Sequence, residues 1–199
     1  MWRDSGNNGE DIRGVCPNSK GFFVGTDSGH VAIVKPDGSQ ELIEPSRSGY
    51  DSRDGVTATA VSDSVNLAVV GTLRGQIKVY DLIEKTGAPV CVTDAHPREI
   101  VAIAITENGQ LLASADAEGA LRFWKRHSDQ LELLFEMTAN KSPIQSMHFS
   151  RDGDLYLLRQ GHRGVLKLEL DELAVHFRNC GLAMPDEPSL GDQRESVFP

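Results

Sequence analysis

The chain has 199 residues, of which 39% are hydrophobic and 25% are charged, and this composition fits a soluble globular protein with a buried core. It carries 29 acidic against 20 basic side chains, which gives a net charge of −9. Binding to the phosphates of a nucleic acid requires a stripe of Lys and Arg on the protein surface, so this charge argues against a nucleic-acid partner. No apolar run approaches the ~18 residues of a membrane helix and no signal peptide begins the chain, so we expect a cytoplasmic protein without membrane contact. Three widely spaced cysteines, Cys16, Cys91 and Cys180, exclude a disulfide framework and a C-x-x-C metal knuckle.

A repeat of about 45 residues organises the chain after a polar N-terminal segment, residues 1–10. Four glycines mark it, because Gly29, Gly75, Gly119 and Gly164 lie 46, 44 and 45 residues apart. Each glycine is followed by a stretch in which apolar and polar residues alternate, which is typical of a half-buried strand. We therefore predict four units, over residues 11–45, 56–94, 96–138 and 144–170.

The third unit shows the strand pattern most clearly. Apolar runs over residues 100–105 and 111–115 are separated by a polar turn that ends in Gly109, and a second turn ends in Gly119. The glycines supply the positive φ that tight hairpin turns require. The pattern predicts an all-β protein whose units are antiparallel meanders of four strands.

The periodicity changes after the fourth unit. Asp171 can cap a helix that places Leu173 and Phe177 on one face, and Gly181 is suited to end it. We predict a short helix over residues 171–182. The Pro-rich and charged residues 183–199 are predicted to form a disordered tail.

The repeat resembles the WD-repeat β-propeller family, and the third unit carries the resemblance best. That family joins a His before the first strand, a hydroxyl residue on the second, an acid in the next turn and a Trp on the third. By position, the resemblance assigns this structural tetrad to His96, Ser114, Glu118 and Trp124. The other three units lack most of these residues, so the repeats are degenerate.

The resemblance also implies an incomplete ring, because WD-repeat propellers usually close with about seven or eight blades. Four blades form a partial propeller, and the helix after the last blade is similar to the ending of some bacterial WD-repeat proteins. We therefore interpret the chain as the C-terminal part of a larger bacterial propeller, or as a half-ring that dimerises.

No sequence motif indicates catalysis or a bound cofactor. The six histidines do not show metal-ligand spacing, and no nucleophile elbow, Walker loop or dinucleotide-binding glycine motif occurs. We predict a non-catalytic protein-interaction scaffold with a protein or peptide partner, no metal and no cofactor. The alternatives are a purely structural half-propeller completed by a partner or a second copy, and a propeller-type hydrolase with acids and a metal in its channel.

WD-repeat proteins often bind partners through the loops before the first strand and between the second and third strands of each blade. The residues at the matching positions here are either partner contacts or ordinary loop residues. They are Asp27 in the first unit, Thr57 and Leu73 in the second, Glu99, Val101 and Ala117 in the third, and Gln145 and His162 in the fourth.

Overall fold

A computed structural model describes residues 11–44, 54–84, 87–138, 143–161 and 163–169. These residues contain fifteen strands in four antiparallel sheets, which we call blades 1 to 4. The predicted N-terminal segment, C-terminal helix and tail lie outside the described residues. Within the described part, no helix is long and apolar enough to cross a membrane.

Each blade is a meander in which consecutive strands are hydrogen-bonded neighbours. Blade 1 contains β1 (Ile12–Asn18), β2 (Gly21–Thr26), β3 (Val31–Val34) and β4 (Gln40–Glu44). Blade 2 contains β5 (Val56–Ser62), β6 (Leu67–Thr72), β7 (Gln76–Asp81) and β8 (Cys91–Asp94). Blade 3 contains β9 (Ile100–Ile105), β10 (Leu111–Asp116), β11 (Ala120–Arg126) and β12 (Leu131–Thr138). Blade 4 contains β13 (Ile144–Phe149), β14 (Leu155–Arg159) and β15 (Val165–Leu168).

The four blades are arranged around a common inner edge. The first strands of successive blades contact one another, β1 with β5, β5 with β9 and β9 with β13. The sheets therefore stack face to face like the blades of a propeller. The architecture is all-β and consistent with the predicted partial propeller.

The turn between the second and third strands brings each blade close to the next one. Gly75 has a φ of 81°, a left-handed conformation that glycine adopts without strain. A Cβ at this position would collide with the backbone oxygens of His96 and Arg98, which lead into blade 3. The repeat glycine is thus required both by the turn and by the contact between blades.

Apolar side chains fill the spaces between the blades. Phe23 and Ile33 of blade 1 pack with Val70 of blade 2, and all three are fully buried. Further along, Phe123 and Phe135 of blade 3 stack with ring centroids 4.7 Å apart and pack in one cluster with residues of blade 4. Burial of one such side chain contributes ~1.5–3 kcal/mol. The alternation seen in the sequence is therefore the alternation between the two faces of each blade.

Blade 4 departs by one residue from the register that the repeat glycine indicates. The spacing equates Glu169 with Trp124, but Glu169 is exposed and Leu168 packs against the core that blades 3 and 4 share. The pairing of Leu158 with Val165 leaves a six-residue connection, whereas Ala115 and Leu121 of blade 3 are separated by five. The additional residue reverses which side of the strand faces blade 3.

Candidate functional site

The same backbone hydrogen bond recurs at one end of every blade and builds a continuous rim of loops. In each blade, an N–H between the second and third strands donates to the carbonyl of a residue before the first strand. The donor–acceptor pairs are Asp27 to Asp11, Leu73 to Gly55 and Ala117 to Glu99 at 3.0 Å, and Gln160 to Pro143 at 2.9 Å. Because the two loops are joined in each blade, residues distant in sequence meet along this rim.

Four of the predicted partner-contact residues meet at one cavity on the rim, which we call the rim cavity. It has a volume of about 330 Å³ and lies where blades 1, 2 and 3 adjoin. Leu73 presents an aliphatic side chain that is 41% exposed beside it. The residues that line the cavity are Arg13, Asp27, Val56, Thr57, Leu73 and Glu99.

The charges around the rim cavity leave one carboxylate available. Arg13 forms an ion pair with Asp11 at 3.6 Å, and the Asp27 carboxylate accepts the Asp11 backbone N–H at 3.1 Å. Within the described part of the chain, the Glu99 carboxylate accepts no hydrogen bond and pairs with no cation. The cavity therefore combines an aliphatic side chain with an acidic group that a cationic ligand can reach.

Of the other four predicted positions, three are placed differently and one lies outside the described residues. Val101 and Gln145 line a second hollow of about 200 Å³ along the inner strands, and Thr57 borders both spaces. Ala117 is exposed on the rim but does not line the rim cavity. His162 lies outside the described residues, and the recurring hydrogen bond shows that Gln160 holds the corresponding place in blade 4.

A buried hydrogen-bonded chain in blade 3 forms the second feature, which we call the His96 network: His96, Ser114, Asp116 and Trp124. The His96 Nε2 and Ser114 Oγ atoms lie 2.8 Å apart, and the Trp124 indole N–H donates to the same oxygen at 2.8 Å. On the other side of the ring, His96 Nδ1 lies 3.2 Å from Asp116 Oδ2. The imidazole and the indole are also in edge-to-face contact at 6.5 Å.

The acid in this network is Asp116 and not Glu118, the residue that the family resemblance assigns to this role. Glu118 is exposed and instead pairs with Arg98 at 2.8 Å. Asp116 Oδ1 also accepts the backbone N–H groups of Glu118 and Ala120, at 3.0 and 2.9 Å. Asp116 thus closes the turn with one oxygen and orients the imidazole with the other.

A signal for this assignment was present in the sequence. Three residues before the repeat glycine stand Thr26, Thr72 and Asp116, each with a side-chain oxygen that accepts an N–H four residues later. The distances are 3.1 Å to His30, 3.1 Å to Gln76 and 2.9 Å to Ala120. A Thr or Asp three residues before the repeat glycine therefore marks the capping position. In blade 3 that residue is Asp116, which lies two residues before Glu118.

The His96 network has the connectivity of a Ser-His-Asp triad, but its environment is that of a core. Ser114 is 0% exposed, and its hydroxyl oxygen already receives the indole N–H. Burial lowers the pKa of His96 below its usual 6.5, although the neighbouring Asp116 carboxylate opposes that shift. The ring is therefore neutral near pH 7, and the buried network braces the strands of blade 3.

The comparison with known proteins identifies the family. Residues 15–168 match the family model described as Nucleolar protein 10-like, N-terminal domain, which is a β-propeller. The chain belongs to this family. Membership in the Nucleolar protein 10-like family confirms the predicted WD-repeat type of propeller, while its placement as the C-terminal part of a bacterial protein stays a prediction.

The relatives of this family member share its fold and differ in length. Over 155 residues it is 24% identical to Transcription initiation factor TFIID subunit 5 of Caenorhabditis elegans, covering 78% of this chain and 23% of that protein. The RRP9 WD40 repeats superimpose with a TM-score of 0.57 at 21% identity, covering 71% of this chain and 45% of that one. The computationally designed Ika4 protein gives 0.62 at 18% identity, covering 84% of this chain and 98% of that one. The chain thus spans less than half the length of the two natural relatives.

No set of metal ligands appears in the part of the chain that the structure describes. Among those residues, no group of three or more His, Cys, Asp or Glu side chains is placed so that it could hold an ion.

Proposed function

We propose that this chain is a non-catalytic protein-binding module and that its partner docks at the rim cavity. The observation that carries the proposal is the meeting of Asp27, Thr57, Leu73 and Glu99, from three blades, around one space of about 330 Å³. Family membership supports it at a general level, since WD-repeat propellers are protein-interaction scaffolds.

The chemistry of the cavity favours a particular kind of contact. Leu73 offers an aliphatic surface, and the Glu99 carboxylate has no cationic partner among the described residues. A Lys or Arg side chain fits both groups, because its methylene stem can pack on Leu73 while its charge pairs with the Glu99 carboxylate. The proposed ligand is therefore a segment of a protein that presents a basic side chain to the rim.

The test selects ligands without assuming a partner. Random peptides displayed on phage are selected on the immobilised full chain, and enriched peptides are measured by fluorescence polarisation. We expect enriched peptides to contain a basic residue, and we expect Leu73→Asp or Glu99→Lys to weaken their binding by at least ~10-fold, the size of a binding hot spot.

The matched control is Ile83→Asp, at a side chain that is 66% exposed in the turn after β7 and does not line the cavity. This substitution should leave affinity unchanged. Peptides that bind the Leu73 and Glu99 variants as well as the wild type would place the binding surface elsewhere and refute the proposal. Failure to enrich any peptide would also count against it.

The cytoplasmic location predicted from the sequence also remains a proposal. The net charge of −9 and the lack of a long apolar run support it. A fluorescent fusion of the full chain, imaged in living cells, tests it directly, and a signal concentrated in a membrane or in the nucleus would contradict it.

A further inference from the structure

Blade 4 ends in a strand whose outer edge is open, which we call the β15 edge. Blades 1, 2 and 3 each have a fourth strand that pairs with the third, whereas the described part of blade 4 contains β13, β14 and β15 only. Alternate backbone N–H and C=O groups of β15 therefore point away from β14 towards no other described strand. An edge of this kind is a template for one more strand.

The inner side of β15 is also incompletely covered. Leu168 packs against the core that blades 3 and 4 share, and Leu166 lies on the same side of the strand but is 39% exposed. In blade 3 the fourth strand supplies cross-strand neighbours to the third, where Phe135 of β12 stacks on Phe123 of β11 with ring centroids 4.7 Å apart. The β15 edge thus lacks apolar neighbours as well as hydrogen-bond partners among the described residues.

The sequence that follows β15 contains a segment suited to this edge, residues 173–180, which read LAVHFRNC. Leu173, Val175 and Phe177 alternate with small or polar residues, which is the period of a strand with one apolar side. The start of the segment also fits. Residue 173 stands five positions after the end of β15, and β12 begins five positions after the end of β11.

The alternation favours a strand over the helix that capping signals predict for residues 171–182. A helix places Leu173 and Phe177 on one face and turns Val175 away from it, whereas a strand places all three on one side. The N-terminal residues 1–10 suit the edge less well, because they are mostly polar and rich in Gly and Asn, which are depleted in strands.

We propose that residues 173–180 of this chain pair antiparallel with β15 and occupy the β15 edge as the fourth strand of blade 4. In blade 3 the last residue of β11 pairs with the first residue of β12 across a connection of four residues. The same connection in blade 4 pairs Leu168 with Leu173 and sets Lys167 opposite Ala174, which puts the apolar side of the segment beside the inner side of β15. An occupied edge is closed to strands of other chains. The proposal goes beyond the rim-cavity function and involves none of the rim-cavity residues.

The first experiment tests the pairing in the full chain. Lys167→Cys is combined with Ala174→Cys and oxidised, and peptide mapping by mass spectrometry is expected to find a disulfide between positions 167 and 174 within one chain. The matched control combines Lys167→Cys with Val175→Cys, which lies on the opposite side of the segment and should not form the bond. Both proteins carry Cys180→Ser, which removes the native thiol of the segment. Equal yields in the two proteins, no bond between positions 167 and 174, or a bond found only between two chains each overturn the proposal.

A second experiment, hydrogen exchange measured by mass spectrometry, distinguishes the strand from the helix. We expect slow exchange in β15 and in residues 173–180 of wild type. Val175→Asp places a charge on the apolar side of the strand and should speed exchange in both segments by at least ~10-fold. Val197→Asp, the same substitution outside the segment, should leave both unchanged. Unaltered exchange in Val175→Asp is the result for the helix, in which position 175 lies off the apolar face, and it overturns the proposal. Fast exchange of residues 173–180 in wild type does so too.

Discussion

Blades 2 and 3 place an aromatic residue with a polar tip at the same position, and each satisfies that tip differently. Tyr80 and Trp124 each lie five residues after their repeat glycine, and both are buried. The Trp124 indole donates to Ser114 within its own blade. The Tyr80 hydroxyl donates to the Glu44 carboxylate at the end of blade 1, where Lys78 also lies 3.7 Å from that carboxylate.

The reason for the difference is the residue on the neighbouring strand. Ser114 of blade 3 corresponds to Val70 of blade 2, which has no hydrogen-bonding group. A buried hydroxyl needs a partner, so Tyr80 finds one across the boundary between blades. The His96 network thus braces the strands within one blade, whereas the cluster of Glu44, Lys78 and Tyr80, which we call the Glu44 cluster, joins two blades.

The largest expected effect on stability comes from the His96 network. Trp124→Ala removes a core aromatic that is 4% exposed and leaves Ser114 without its donor, so it should lower the free energy of unfolding by ~3–5 kcal/mol. Chemical denaturation followed by circular dichroism measures this loss. An unchanged unfolding midpoint would show that Trp124 is not part of the core.

Two alanine variants test which acid belongs to the His96 network. One is expected to lower the free energy of unfolding about as much as Trp124→Ala, and the other is expected to change it little. Asp116→Ala removes the oxygen facing His96 and the acceptor of two backbone N–H groups, so a loss of at least ~3 kcal/mol is expected from hydrogen bonds to a charged group. Glu118→Ala breaks one exposed ion pair with Arg98 and should cost ~1 kcal/mol or less. Equal losses in the two variants would contradict the assignment.

A smaller effect is expected at the Glu44 cluster. Tyr80→Phe keeps the ring and removes only the hydroxyl, so it loses a hydrogen bond to a buried charged group worth ~1.5–3 kcal/mol. Adding Glu44→Gln to Tyr80→Phe forms a double-mutant cycle, in which the coupling energy between the two side chains is read from denaturation midpoints. If the two losses add without coupling, the bond between blades 1 and 2 contributes nothing to stability.

The smallest expected effect is a dependence of stability on pH, caused by His96 in blade 3. Burial lowers the pKa of His96 in the folded state, so between that pKa and 6.5 the unfolded chain binds more protons at this residue than the folded chain. The contribution of neutral His96 to the free energy of unfolding is therefore complete above pH ~6.5 and declines as pH falls towards the folded-state pKa. Urea midpoints measured across this window should fall less steeply for His96→Asn than for wild type. Parallel curves for the two proteins would show that His96 does not titrate differently on unfolding.

Much of the fold could be predicted because it depends on local patterns. The repeat of turn glycines and the alternation of apolar residues located all four blades, since a strand buries alternate side chains and a tight turn needs a positive φ. Asp27, Leu73 and Glu99 were named only from the resemblance to WD-repeat proteins, and the structure brings them together at the rim cavity because equivalent loops of stacked blades adjoin. Fixed spacing was less reliable within a blade, where Asp116 replaced Glu118 and Leu168 took the place expected for Glu169.

The four blades and their order could be predicted from the sequence, because they follow from periodicity along one strand and one turn. The hydrogen bond from Tyr80 to Glu44 could be seen only in the folded protein, since it joins residues 36 positions apart on different sheets. The fold also showed which side of the last strand of blade 4 faces blade 3. Which side of a strand faces outward depends on register, and a single added residue between β14 and β15 is enough to exchange the two sides.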